Sequence, residues 1–136
     1  MGIVYNLQGL SDKAIETLNT ALTIKPSYPE AHNLLGTVFR KQGLYQHAIE
    51  AYKKALALRK DYLNAHLNLA SLYYDRGSYQ QAIDQYSALL TFQPERADVY
   101  YNIGNAYKQM GKLDETVNAY NRVLVIDHTI DRKSVV

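Results

Sequence analysis

The sequence predicts an all-α solenoid built from stacked helix–turn–helix units. Its clearest signal is a ladder of four evenly spaced glycines, Gly9, Gly43, Gly77 and Gly111. Apolar residues recur at helical spacing almost throughout, and no segment alternates apolar and polar residues as a strand does. A constant period of about 34 residues is typical of repeated supersecondary units, each of which buries its apolar face only against its neighbours.

The glycine ladder divides each unit into two helices, because glycine readily adopts the left-handed backbone that ends a helix. Apolar spacing places the first helices of the units at 30–42, 64–76 and 97–110. It places the second helices at 12–25, 45–59, 79–92 and 113–126, with the tail of a truncated first helix at 1–8.

Local signals support these boundaries. Pro26 and Pro94 follow two of the second helices, where proline cannot continue a helix. Ser78 followed by Gln81 is a capping-box pattern for the helix that starts near residue 79. The remaining glycines, Gly2, Gly36 and Gly104, share a second column, where a small residue lets two helices approach closely. We therefore expect that column to serve packing.

Composition excludes several classes of function. The chain has 136 residues, 47% of them apolar and 21% charged, as in a globular protein. A net charge of +2 is too small to suggest nucleic acid or a membrane surface as partner. The absence of cysteine removes disulfides and thiolate chemistry. No window holds the roughly 18 apolar residues that a membrane helix needs. We expect no membrane insertion and, by default, a cytoplasmic location.

The sequence offers no catalytic or metal-binding constellation. His32 and His66 lie one repeat period apart and so occupy equivalent places in neighbouring units. Packed helices lie roughly 10 Å apart, too far for one ion to be shared by both rings, so we interpret these histidines as packing residues. No nucleophile–base motif or phosphate-binding glycine loop is present. We expect no enzyme activity, no metal and no cofactor.

Several columns together resemble the tetratricopeptide repeat, a helix–turn–helix unit whose period matches that of the glycine ladder. Its Leu-Gly step is matched at Leu35–Gly36, Leu69–Ala70 and Ile103–Gly104, and its second-helix aromatic at Tyr52, Tyr86 and Tyr120. Its next small residue is present at Ala21 and Ala55 but is replaced by Leu89 and Val123. These two departures indicate looser or shifted helix packing late in the chain.

The resemblance implies one array over residues 1–136 that coils into a right-handed superhelix. The predicted bounds are a partial repeat at 1–28, complete repeats at 29–62, 63–96 and 97–130, and the start of a truncated repeat at 131–136. Because both ends fall within a repeat, we expect a fragment of a longer array or ends covered by another molecule. Self-association through the open ends, giving a homo-oligomer, is one such arrangement.

The resemblance also implies that the first helices form a concave wall that binds a partner. The residues of that wall outside the packing columns are rich in amides and aromatics, and they are the predicted peptide-binding residues: Asn33, Thr37, Arg40, Lys41, Asn64, Asn68, Ser71, Tyr74, Tyr101, Asn102, Asn105 and Lys108. Amides both donate and accept hydrogen bonds, so they can pair with the backbone of an extended peptide. Ordinary surface amides remain an alternative interpretation.

Asn68 and Asn102 occupy the same column in neighbouring units and would form two rungs of an asparagine ladder, with Leu34 at the third rung. This arrangement resembles the peptide-binding repeats of O-linked N-acetylglucosamine transferases. We predict a non-catalytic protein-interaction module that binds a peptide segment of a protein partner in its concave groove. The alternatives are a substrate-recruiting fragment of a larger enzyme, such as a glycosyltransferase, and a self-assembling scaffold.

Overall fold

A computed structural model describes the backbone of residues 2–134 and the side chains of residues 9–128. All regular structure in this part of the chain is helical, so the predicted all-α class of paired-helix repeats is confirmed. The helices are α1 (Gly2–Ile24), α2 (Pro29–Lys41), α3 (Tyr45–Leu58), α4 (Leu63–Asp75), α5 (Tyr79–Phe92), α6 (Ala97–Gln109) and α7 (Leu113–Ser134).

The chain forms two compact units, residues 1–72 and residues 73–136. In the first unit α2 packs against α1 and α3, and in the second unit α6 packs against α5 and α7. The first helices α2, α4 and α6 begin at equal intervals along the chain, at Pro29, Leu63 and Ala97. The predicted repeat bounds and the handedness of the array stay predictions.

Three of the ladder glycines end their helices through the same hydrogen-bonded turn. Gly43, Gly77 and Gly111 have φ of 78°, 78° and 74°, in the left-handed region that favours glycine. In the turn at Gly77, the Ser78 amide donates to the Tyr73 carbonyl at 2.8 Å, and the Gly77 amide donates to the Tyr74 carbonyl at 3.0 Å. Equivalent bonds close the other two turns, so each first helix ends in a Schellman motif.

Gly77→Ala is expected to lower the free energy of unfolding by about 1 kcal/mol, because an L-residue with a side chain resists left-handed backbone. Gly9→Ala is the matched control, since Gly9 lies inside α1 with nothing within 4 Å of an added Cβ. That change should raise stability by roughly 0.5–1 kcal/mol through helix propensity. Urea unfolding followed by circular dichroism measures both, and equal effects of the two substitutions would contradict the assignment of the turn.

The turn predicted at Gly9 is wrong, as α1 runs unbroken from Gly2 to Ile24. Glycine tolerates helical backbone as well as the left-handed turn, so its place in the ladder does not by itself break a helix. The predicted end of the last helix near residue 126 is also wrong, because α7 continues to Ser134. No glycine or proline follows Gly111, so the residues that usually stop a helix are missing there. Of the truncated repeat predicted at 131–136, residues 135 and 136 lie outside the described residues.

The capping box predicted at Ser78 does not form. Ser78 is the N-cap of α5, but its side chain makes no capping hydrogen bond. The preceding Schellman turn sets its backbone to φ −88° and ψ 65°, outside the extended region in which an N-cap hydroxyl reaches the first turn of a helix. Helix α5 therefore starts from the turn geometry at Gly77 rather than from a side-chain cap.

The second glycine column allows the close approach that the sequence predicts. A Cβ on Gly36 would lie 2.5 Å from Cε1 of Tyr52, and a Cβ on Gly104 would lie 2.5 Å from Cε1 of Tyr120. Each tyrosine ring therefore lies against the backbone of the helix that precedes its own. In the two departing columns Leu89 is fully buried and Val123 is half-buried, and the looser or shifted packing expected there stays a prediction.

Candidate functional site

A strip of polar side chains joins α2 to α4 in the first unit. The Asn68 amide nitrogen donates to Oδ1 of Asn33 at 3.1 Å, and Arg40 Nη2 donates to Oγ of Ser71 at 3.3 Å. The Asn33 amide nitrogen in turn donates to the Tyr62 hydroxyl at 3.5 Å. Four of the predicted peptide-binding residues are thus brought together, and they form two hydrogen-bonded pairs.

Asn33 departs from its predicted role, because its side chain is only 8% exposed. Its amide bonds to Asn68 on α4 and to Tyr62 just before α4. Asn33 therefore positions Asn68 and has little surface left for a ligand. Thr37 is also engaged, since its hydroxyl shares a hydrogen bond of 3.0 Å with the hydroxyl of the buried Tyr52. Asn64 and Lys41 are exposed, whereas Asn68, Arg40 and Ser71 are half-buried.

The second unit presents an aromatic platform on α6. The Tyr101 ring is 54% exposed and stacks on Tyr120, with ring centroids 5.7 Å apart and an angle of 30° between the planes. The Tyr120 hydroxyl donates a short hydrogen bond to Oδ1 of Asn105. Gly104 provides the space in which the Tyr120 ring lies. Tyr101 is therefore held by groups that are themselves fixed.

The other predicted residues of the second unit lie in varied settings. Asn102 is half-buried, and its amide makes no hydrogen bond to another side chain in the described part of the chain. Lys108 is exposed. The half-buried Tyr74 ring packs edge-on against Tyr79, with centroids 5.2 Å apart. In this unit Tyr101 and Lys108 are thus exposed, and Asn102 keeps an amide without a side-chain partner in the described residues.

Acidic residues at two helix starts are compensated by arginines. Glu30 and Asp98 occupy equivalent repeat positions in the first turns of α2 and α6. Arg96 binds Asp98 through two bonds of 2.9 and 2.7 Å, and this bonding holds the pKa of the Asp98 carboxyl below its usual value. A backbone hydrogen bond and a pair with Arg59 likewise lower the pKa of Glu30. Both carboxylates are ionised at neutral pH, and their negative charges stabilise the N-termini of α2 and α6.

The two equivalent histidines, His32 and His66, make structural hydrogen bonds. His66 Nε2 lies 2.7 Å from the Lys60 carbonyl, and His32 Nε2 lies 3.1 Å from the Pro26 carbonyl. Each ring therefore ties a first helix to the loop before it, as the packing interpretation expects. Within the described residues no group of three or more histidines and carboxylates is placed to hold a metal ion. No helix in that same part of the chain combines the length and apolarity needed to cross a bilayer.

Sequence reasoning missed two supports of the site, Tyr62 and the pairing of Asn33 with Asn68. The predicted ladder consists of asparagines of one column, whereas this amide pair joins residues of neighbouring columns on α2 and α4. Leu34 at the third rung is 54% exposed, and Asn68 instead bonds to Asn33, the residue before Leu34 on α2. The role of Tyr120 could have been inferred from its column, since the second-helix aromatic faces a small first-helix residue.

Paired helices of this kind, with polar first-helix surfaces, define a class of helical-repeat modules that bind other proteins. The TPR repeat family matches residues 2–43, 36–75 and 70–111, and the tetratricopeptide repeat pattern matches residues 97–130. The chain belongs to the tetratricopeptide repeat family. No curated protein sequence matches it.

Solved structures of MamA are similar to the chain. Two crystal structures of MamA, each 29% identical, superpose with TM-scores of 0.81 and 0.83. Both similarities cover 96% of this chain, and they cover 77% and 72% of the respective MamA chains. A further MamA structure, 23% identical with a TM-score of 0.73 over 94% of this chain and 74% of its own, shows the fold alone. Family and fold together make the chain a protein-interaction or scaffold module.

Proposed function

We propose that this module binds an extended peptide segment of a protein partner along its first helices, the surface predicted as the concave groove. Asn68 and Asn102 pair with the peptide backbone, and Tyr101 provides the apolar contact. The basic side chains Lys41 and Lys108 lie on the same predicted wall. Tetratricopeptide modules act by binding rather than by catalysis, so the partner carries any chemistry.

The observation that carries this proposal is the Tyr101 platform. An exposed tyrosine ring supplies a large contact area, and stacking on Tyr120 limits the freedom that the ring loses when a ligand docks. The amide of the adjacent Asn102 has no side-chain partner in the described residues. Its NH2 group can therefore donate a hydrogen bond to a peptide carbonyl, and its oxygen can accept one from a peptide N–H. An apolar anchor beside an available amide suits a peptide rather than a small polar metabolite.

The test uses a random-peptide display library selected against the wild-type chain. The double variant Asn68→Ala/Asn102→Ala is expected to bind the selected peptide about tenfold more weakly, since each lost hydrogen bond contributes about 0.5–1.5 kcal/mol. Tyr101→Ala should weaken binding further, because the ring provides the apolar contact. Helicity should be unchanged, because none of these three side chains is fully buried.

The matched control is Gln46→Ala/Asn118→Ala, which removes two exposed amides from second helices. It should leave the affinity unchanged. The proposal fails if no peptide is selected, or if the double variant binds as tightly as the wild type. Equal weakening by test and control variants would instead indicate a general loss of surface polarity and would also contradict it.

A further inference from the structure

A cavity of about 230 Å³ lies among α1, α2 and α3 in the first unit. Its apolar part consists of buried or half-buried side chains, Leu22, Leu35, Phe39 and Ala51. A cavity of about 150 Å³ accepts benzene, whereas pockets for drug-sized ligands start at about 300 Å³. The cavity therefore suits a small molecule with one apolar group of roughly the size of a phenyl ring.

The rim of the cavity carries charges of both signs. Glu50 and Lys54 line it from α3, lie one helical turn apart and are exposed. Glutamate followed by lysine at this spacing is the favourable order for an ion pair along a helix. Within the described residues, however, neither of these side chains forms an ion pair. One anionic and one cationic group are thus available to a ligand.

Phe39 and His47 form an aromatic wall of the same cavity. Their ring centroids lie 5.4 Å apart, and the ring planes make an angle of 49°. Phe39 is half-buried and His47 is exposed, so the wall extends from the apolar part to the rim. Aromatic rings in tilted or offset contact attract one another beyond the effect of their buried area. This wall favours a ligand whose apolar group is itself aromatic.

The charged pair is a property of the first unit and not of the repeat. Two repeat periods later, the columns of Glu50 and Lys54 hold Asn118 and Arg122. The Arg122 guanidinium lies over the Tyr100 ring, 5.4 Å from its centroid, so that cation already has a partner. The repeat therefore does not require an acid and an unpaired base at these places.

We infer that the cavity, called the α3 cavity, binds a free α-amino acid with an aromatic side chain. The ligand ring lies against Leu35 and Phe39. Its ammonium group pairs with Glu50, and its carboxylate pairs with Lys54. Side chains at this helical spacing have Cβ atoms about 5–6 Å apart, so their flexible stems can converge on the two charges of one zwitterion. The site goes beyond the proposed peptide binding and uses none of its residues, so each can fail without the other.

The probe is L-phenylalanine, titrated into the whole chain and followed by NMR. The resonances of Leu22, Leu35 and Ala51 are expected to shift saturably, because these side chains line the apolar part of the cavity. The expected Kd is about 1 mM, since the ligand is small and the charges at the rim are solvated. Shifts that stay unsaturated up to about 20 mM L-phenylalanine would overturn the inference.

Substitution of the charged pair tests the two polar contacts. Glu50→Gln and Lys54→Gln should each weaken the binding of L-phenylalanine about threefold, because solvent screens exposed ion pairs. The matched controls Glu16→Gln and Lys53→Gln remove exposed charges that do not line the cavity, and they should leave the affinity unchanged. Equal weakening by the test and control variants would contradict the inference.

Analogues with one charge assign each contact. Phenethylamine lacks the carboxylate, so Glu50→Gln should weaken its binding and Lys54→Gln should not. For phenylpropionate, which lacks the ammonium group, the two effects should be reversed. If each variant has the same effect on both analogues, the assignment of the contacts is wrong.

N-acetyl-L-phenylalanine amide distinguishes a free amino acid from a phenylalanine side chain of a protein partner, because it carries the ring and neither charge. It should bind at least about fivefold more weakly than L-phenylalanine. Equal binding of the two molecules would overturn the inference in favour of a partner's side chain.

Discussion

Leu89→Ala is expected to lower the free energy of unfolding by about 2–5 kcal/mol, the range for deleting a buried leucine side chain. The leucine is fully buried within the second unit. Alanine stands in the equivalent column at positions 21 and 55, so a rule based on the repeat pattern would favour the substitution. The structure predicts the opposite, because removal of the isopropyl group leaves a cavity where Leu89 packs.

Urea unfolding followed by circular dichroism measures this loss. Leu90→Ala is the matched control, since it makes the same change at a half-buried neighbour and should cost about half as much. A stabilising or neutral effect of Leu89→Ala would show that the surrounding helices close the cavity without cost. That result would contradict the assignment of Leu89 to the core.

Gly36→Val is expected to destabilise the chain by about 3 kcal/mol, at the upper end of the usual cost of overpacking. Even the Cβ of the new side chain would lie 2.5 Å from Cε1 of Tyr52. Tyr52 is 1% exposed and its hydroxyl is bonded to Thr37, so the ring has no space into which it can move. Helix α2 must instead shift away from α3, and the bond between Thr37 and Tyr52 breaks.

Gly104→Val is the matched variant in the second unit, where the added Cβ meets Tyr120 at the same 2.5 Å. Tyr120 is half-buried, so its ring can swing outward at the cost of its bond to Asn105. The expected loss is smaller, about 1–2 kcal/mol. Thermal and urea unfolding of the two variants compare them directly, and equal losses would show that exposure of the ring does not decide the cost.

The repeat made most of the fold predictable. Glycine at 43, 77 and 111 fixed the turns because the left-handed backbone is a local property of that residue. Gly9 belongs to the same ladder but lies within a continuous helix. A glycine permits a turn. The turn forms only where the helix that follows is stabilised by packing against the helix before it. That stabilisation is a tertiary effect, and the sequence pattern around Gly9 does not contain it.

The candidate site was predictable in outline but not in detail. The repeat columns placed Asn33, Thr37 and Asn105 on first helices, and these residues do lie on α2 and α6. The columns could not show that their side chains bond to Asn68, Tyr52 and Tyr120, because those bonds depend on rotamers and on the distance between helices. Buried or half-buried polar groups find partners wherever geometry allows. Which surface amides remain available is therefore a three-dimensional question.

The contacts that hold Asn68 in the first unit and Tyr101 in the second unit have a thermodynamic consequence for recognition. Ordering a flexible side chain at an interface costs about 0.5–1.5 kcal/mol in conformational entropy. Asn68 is anchored by Asn33, and Tyr101 rests on a ring that Asn105 holds, so much of that entropy is already lost during folding. Under the proposed function, a peptide that contacts Asn68 or Tyr101 meets a side chain that is already ordered. Its affinity should therefore depend more on the order of the peptide itself than on rearrangement of the protein.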